Sequence, residues 1–553
     1  MILQLFLGLV LIALLFFIIG QEKRRRVWSV LLFGAVLGLL YAFFEQINAI
    51  GISNVMYDWI PHHTLHANLS FAAAGQTSAC LRVMSLCLAA LVYLNIIYRR
   101  EEYSLYINNF ILLNFAALII LLSARDLLQL MIGSCCFTII GFYLINDVAA
   151  KTKFIFYNFL AELAIFMSLA VVYANLDTAS LSALPKYLKA GHHKDLVSML
   201  LLGAVFTKCG MFLFQNQLIG LKQLTFNRLM TVALFSAPLS GVIIFARLFP
   251  LIRVSEYAAP VFALIVGLSA LWAVGGALLA DSLKAKILYL NMLFYAFVLW
   301  QMWDNGAVFF DKLIYLYPSI LGIFISFLFV SVSASDESRL SQMGGFARRL
   351  WLDLALALAA VFVFLGGFAK SFDMAVVWIF PAVFLGVCAV ILRGVFGGQS
   401  RADERVEALL KNVGLWYWLP YAAALGWLVG RFGLWKTETV WAAFGVFVVL
   451  MLLAPVRPFL KLAAAERLQN GDFLHRVYLL CLIMPLRLLG RVLWLAIDFV
   501  VIERSIIGSI SHSTAFVVRF LQKIQNTYWV NYLIMALFGM AVILLNLGWY
   551  YHE

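Results

Sequence analysis

The chain has 553 residues, of which 64% are hydrophobic, 15% aromatic and only 12% charged, with a net charge of +13. Soluble domains carry about 25% charged residues, so a water-soluble enzyme or binding module is excluded. The positive balance does not point to nucleic acid. Apolar windows of about 20 residues recur almost end to end, and the lysines and arginines mark cytoplasmic loops and helix ends of a polytopic membrane protein.

In chain order, the first span is about 2–19. It lacks a basic leading flank and a small-residue cleavage site, and Lys23, Arg24, Arg25 and Arg26 follow it, so it reads as a retained helix. Span 2 is about 28–50. The segment 51–75 holds Tyr57, Asp58 and Trp59 but no lysine or arginine, which predicts a periplasmic loop and a periplasmic N-terminus. Span 3 ends at Arg99 and Arg100. Spans 4 (about 105–123) and 5 (about 127–146) flank Arg125 and Asp126, and span 6 is about 154–173. Residues 174–195 read as a polar, solvated loop. Its adjacent His192 and His193 point apart on a helix and lack a third metal ligand. Span 7 is the run Leu196–Phe214, which contains Lys208. Spans 8 to 13 are expected near 229–249, 258–280, 285–303, 313–333, 351–370 and 374–393, and spans 14 and 15 near 413–430 and 438–454.

From Pro455 to Tyr528 the pattern changes. Charges return every few residues between apolar stripes, which predicts long amphipathic helix along other helices or the membrane face. About 40 residues after Pro485 give a rod of roughly 60 Å. A last span, Trp529–Trp549, brings the total to about 16 and puts both termini on one side. The seven cysteines sit in apolar stretches without CxxC spacing and read as packing residues. The sequence shows no cofactor motif.

A lysine at membrane depth costs roughly 2.5–3.5 kcal/mol, so Lys208 needs a partner or a wet cavity inside a bundle. About ten apolar residues precede it, which argues against snorkelling to the interface. Glu162 on span 6, Lys284 at the start of span 10 (where Lys286 also stands) and Lys370 on span 12 extend this to a row of titratable groups, as proton movement across hydrocarbon requires. Gly210 beside Lys208, and Gly366 and Gly367 near Lys370, predict interrupted helices. Lys208 and Lys370 are about 160 residues apart, as two inverted five-helix repeats, spans 4–8 and 9–13, place them.

These residues resemble the antiporter-like subunits of respiratory complex I and Mrp-type cation/proton antiporters, most closely the L-type subunit, over nearly the whole chain. The family's glycine–lysine–serine motif resembles Thr207-Lys208-Cys209-Gly210, with Phe214-Gln215 following. Its acidic residue on the preceding helix falls on Glu162. Its aspartate–isoleucine–lysine–arginine stretch resembles residues 282–285, placing that lysine at Lys284, and its methionine–glycine–glycine turn appears at Met343–Gly345. Its glycine–phenylalanine–phenylalanine–serine–lysine–aspartate motif resembles Gly367-Phe368-Ala369-Lys370. Residues 485–511 resemble the start of the L-type lateral helix, which M- and N-type relatives lack. In departure from the pattern, the family's span-5 glutamate falls on Cys135, its proline-rich segment on residues 225–228 with the following histidine near Ala233, and its later histidines have no counterpart in residues 316–329.

The resemblance implies an all-α polytopic fold: spans 1–3 in residues 1–104, the two repeats in 105–250 and 257–397, spans 14–15 in 413–457, and the lateral helix with the final span in 458–553. It further implies a proton-translocating membrane subunit of a complex I-like NADH:quinone oxidoreductase in a bacterial inner membrane. Other membrane subunits are its partners, and the redox chemistry sits in the complex and not in this chain. Glu162 modulates Lys208, Lys284 relays, and Lys370 exchanges protons with one side. The alternatives are the ion-conducting membrane half of an inorganic-carbon uptake system, partnered by a soluble zinc protein, and a non-conducting paralogue that braces a membrane complex.

Overall fold

The computed structural model describes residues 2–19, 34–36, 38–40, 55–61, 66–71, 92, 104–176, 180–181, 184, 193–235, 237–280, 282–305, 351–371, 379–396 and 438–453, with scattered positions between 484 and 540. Expected spans 11, 14 and nearly all of 2, 3 and 16 lie outside the described residues, as do the Met343–Gly345 turn and most of the amphipathic region. The chain divides into two units, Met1–Asn470 and Gly471–Glu553.

In the first unit, α1 (Ile2–Ile19) packs on α2 (Ser104–Ser123), which turns sharply into α3 (Leu127–Leu144). Next come α4 (Val148–Leu176), α5 (Lys194–Cys209), a one-turn α6 (Asn216–Ile219), a 3-10 turn at Gly220–Gln223, α7 (Phe226–Phe235) and α8 (Ala237–Ile252). The helices α9 (Ala258–Leu279) and α10 (Leu283–Asn305) form a tight pair, followed by α11 (Trp351–Ser371), α12 (Ile379–Phe396) and α13 (Glu438–Leu453). Among the described residues, α3, α4, the stretch 231–252, α9 and α10 are long and apolar enough to cross a bilayer.

Burial sorts these helices. α10 is almost wholly enclosed, whereas α4 and α9 turn much of their surface outward. Enclosure explains why α10 carries the polar residues Lys286, Asn291 and Gln301, all buried: polar side chains in a membrane bundle find partners only inside it. Asn291 Nδ2, for one, donates to the Ala233 carbonyl on α7 at 2.8 Å.

An aromatic cluster joins four helices. Phe262 of α9 stacks on Trp303 of α10 with ring centroids 4.4 Å apart and on Phe245 of α8 at 5.6 Å, and Phe206 of α5 lies 6.1 Å from it. Phe262 is fully buried. We expect Phe262→Ala to cost about 3–5 kcal/mol, the range for emptying an aromatic core position, read as earlier thermal unfolding in detergent.

Two expectations are corrected. The predicted loop 51–75 contains an antiparallel hairpin of Val55–Pro61 and His66–Phe71, with Tyr57 opposite Leu69 and a register shift between Asp58 and Ile60. Val55, Tyr57, Trp59 and Ile60 are strand formers, and Pro61 closes the first strand, so the all-α reading holds for the helical bundle and not for this hairpin. Span 8 is covered by α7 and α8, with residue 236 between them outside the described residues. Span 7 ends at Cys209, well before Phe214. In the second unit, residues 511–516 are helical, with Phe516 exposed.

Candidate functional site

The site begins at the end of α5. Asp195 lies in its first turn and Lys208 in its last, each opposite in sign to the helix dipole there. The helix stops because Gly210 takes the left-handed conformation (φ 63°, ψ 40°), its N–H donating to the Thr207 carbonyl at 3.1 Å while that of Met211 donates to Phe206 at 3.0 Å. This is the double hydrogen bond that closes a helix on glycine. Residues 210–215 then run as irregular backbone, with Leu213 at φ 78°. Such backbone is tolerated at membrane depth only where protein satisfies it. The Phe212 N–H donates to Ser269 Oγ on α9 at 2.8 Å. Gln217 Nε2 donates to the Thr207 carbonyl and Gln217 Oε1 accepts from Asn158 Nδ2 of α4 at 3.1 Å.

Against this break sits an ion pair. Lys208 is completely buried, and its ammonium donates to Glu162 Oε1 on α4 and to Thr138 Oγ1 on α3, the latter at 2.7 Å. Glu162 Oε1 also lies 2.8 Å from Ser134 Oγ and 2.9 Å from Thr138 Oγ1. Oxygen Oε2 is buried and, among the described residues, accepts nothing. Helical spacing produces this convergence. Asn158 and Glu162 lie four apart on one face of α4, as Ser134 and Thr138 do on α3, so each pair projects from one face. The fourth wall is α8, admitted by Gly241: a Cβ there would stand 2.9 Å from Lys208 Cβ and 2.5 Å from Cys209 Sγ.

The structure thus brings Glu162 and Lys208 together and does not bring the other expected lysines to them. Lys284 is half-buried and donates to the Leu224 carbonyl at 2.9 Å, where the segment after the break ends. Lys370 lies in α11, and its side chain is outside the described residues. The sequence reading passed over Lys286, which is fully buried and donates to the Ala277 and Leu278 carbonyls at 2.6 and 3.3 Å. Those carbonyls end α9 and have no partner further along their own helix. We expect Lys286→Met to cost about 1–3 kcal/mol through that lost donor, read by unfolding in detergent. Ser134 and Thr138 were also missed; their i, i+4 spacing on an apolar helix was the available signal. Cys135, at the family's glutamate position, stands beside Glu162 as a free thiol.

No protein-family model matches the chain, and no curated protein matches it by sequence. Solved structures do. A chain of the membrane-bound sulfane sulfur reductase, an archaeal respiratory membrane complex, aligns with a TM-score of 0.62 at 14% identity, covering 98% of this chain and 99% of its own. A chain of the Mrp complex from Dietzia sp. DQ12-45-1b aligns at 0.60 and 14% identity; 99% of this chain is covered, against 62% of that longer one. At this identity the likeness is one of fold. The chain is a multi-pass membrane protein that shares its fold with a chain of each of these two membrane complexes, and the likeness does not single out the L-type subunit.

Proposed function

We propose that this chain is a proton-translocating, antiporter-like membrane subunit of a hetero-oligomeric respiratory complex, complex I-like in plan, set in a bacterial inner membrane with periplasmic termini. The observation that carries this reading is the buried Lys208–Glu162 pair at a broken membrane helix. A lysine and a carboxylate in hydrocarbon exact several kcal/mol of desolvation. A purely structural bundle has no use for that cost, and hydrophobic residues of similar volume hold helices together as well. The lopsided carboxylate suits proton traffic: Oε1 is saturated by three donors, while Oε2 is free to take a proton. When Oε2 gains a proton, the pair loses its attraction and Lys208 is released to pass its own proton onward. In the full route Lys284 relays near the end of the broken segment and Lys370 exchanges with one side.

Purification of the whole complex in mild detergent tests the assembly. We expect membrane partners and a redox-bearing module to accompany the chain. Recovery of the chain alone, or with only a soluble zinc protein, contradicts the respiratory assignment. Proton uptake by liposomes carrying the complex tests the route: Lys208→Ala is expected to lower it by about 10²-fold, the scale for a positioned proton-transfer group. Wild-type uptake in that variant leaves only the bracing role.

A further inference from the structure

The two ends of the bundle differ in charge. At one end, Lys151 and Lys153 lie in the first two turns of α4, Lys222 in the 3-10 turn, Arg228 in the first turn of α7 and Lys284 in the first turn of α10. Contacts tie these segments into one rim. Arg228 donates to the Leu144 carbonyl at the end of α3 at 3.2 Å, Lys284 donates to the Leu224 carbonyl, and a Cβ on Gly220 would stand 3.7 Å from Lys153 Cδ. Asp147 is the one acid along these segments among the described residues, and it accepts from the Ala150 N–H at 2.7 Å. The opposite rim is mixed: Arg125, Lys194 and Arg253 stand with Asp126, Asp195 and Glu256. The excess of lysine and arginine puts the first rim at the cytoplasmic face.

Arg228 and Lys284 are held by carbonyls, and the Lys151 ammonium lies 4.0 Å above the Phe142 ring. Lys153 is exposed and Lys222 half-buried, and among the described residues neither forms an ion pair. Lys153 also heads an apolar stripe. Phe156, Leu160, Leu163 and Met167 follow it at helical spacing on one face of α4, all exposed. In a bilayer this stripe meets acyl chains, and Lys153 stands about a turn above it, at the level of phosphates. Tyr143, exposed at the adjoining end of α3, marks the same interface.

We propose that this rim binds the headgroup of an anionic phospholipid, with the phosphate between Lys153 and Lys222 and an acyl chain along the stripe below. A basic cluster between membrane helices at the cytoplasmic face is the arrangement that collects anionic lipid. Lys151, Arg228 and Lys284 strengthen the attraction without touching the phosphate. A soluble phosphate ester would meet the lysines but leave the stripe unused. Lys222 lies on the segment that follows the break, and Lys153 on the helix of Glu162, so the lipid pins the two together at the membrane face. The proposal rests on the chain spanning a bilayer and not on its moving protons.

The test places the full complex in phosphatidylcholine liposomes doped with a phosphatidylglycerol that bears a photoactivatable diazirine on its acyl chain. Crosslinked peptides are mapped by mass spectrometry. We expect labelling of residues 153–167 to exceed that from the matching phosphatidylcholine probe several-fold. It should fall about fivefold in Lys153→Gln and about fivefold again when Lys222→Gln is added, the weight of one lysine at an anionic surface. The charge-keeping pair Lys153→Arg and Lys222→Arg should label as wild type, as should Lys194→Gln at the opposite rim. Excess inorganic phosphate at fixed ionic strength should leave the labelling unchanged; displacement by it marks a free-phosphate site and overturns the proposal. Equal labelling by the two probes, no loss in the double glutamine variant, or a stripe left unlabelled because a neighbouring subunit covers it likewise overturns the proposal.

Discussion

Glu162→Gln should lower proton uptake by liposomes about 10²-fold or more, the scale on which a positioned acid-base group acts, while the bundle stays assembled. Glutamine keeps the length and an oxygen that can still accept from Ser134, Thr138 and Lys208, so the contacts among α3, α4 and α5 survive. It loses the negative charge that balances Lys208 and the site at Oε2 that can hold a proton. Glu162→Ala removes more: among the described residues it leaves a fully buried ammonium with Thr138 Oγ1 alone as partner, and breaking a buried pair from one side costs about 3–5 kcal/mol. The alanine variant should therefore be both inactive and unstable, and the glutamine variant inactive but closer to wild type on unfolding. Equal flux in wild type and Glu162→Gln contradicts a role for the carboxylate.

Gly241→Leu is expected to abolish flux without replacing a titratable residue. Even a Cβ at 241 falls 2.9 Å from Lys208 Cβ and 3.0 Å from the Cys209 backbone nitrogen. Those atoms belong to a helix backbone and its stem, which cannot swing aside as a long side chain does. α5 must shift away from α8, and the Lys208 ammonium moves with it. A displacement of about 1 Å at a reacting group can cost about 10²-fold. Gly203, on α5 itself, has nothing near its Cβ position. Gly203→Ala should leave flux unchanged and raise helix stability by about 0.5–1 kcal/mol. Flux measured in the same liposomes separates the two glycines, and similar flux in both variants contradicts a fixed position for Lys208.

The bundle was legible in the sequence because hydrocarbon demands long apolar runs, and α1, α2, α3, α9, α10 and α13 lie close to where those runs predict them. The break after Lys208 was legible in kind from Gly210, but its position was not. Residues 211–214 are as apolar as the helix before them, and only the left-handed glycine shows where the hydrogen-bond ladder ends. The hairpin was hidden because a segment without lysine or arginine says which side of a membrane it occupies, not how its backbone pairs. At the site, the cost of burying Lys208 called for a partner or a wet cavity, and the family resemblance pointed to Glu162 as the group acting on it. The partners on α3 did not follow, since serine and threonine are common in membrane helices and bond their own carbonyls, as Thr138 also does to Ser134. The choice between Lys284 and Lys286 turns on helix phase: two residues apart, they point to different sides of α10, and one is enclosed while the other is half-buried.

Transport requires Glu162 to take up a proton and release Lys208 to pass its own proton onward. Difference infrared spectroscopy of the complex in liposomes, recorded as a proton gradient is imposed, reads it most directly. The account predicts a protonated-carboxyl band that rises with flux in wild type and is missing in both Glu162→Gln and Lys208→Ala. A band that persists in Glu162→Gln, or a wild-type carboxylate that stays ionised while protons cross, contradicts it.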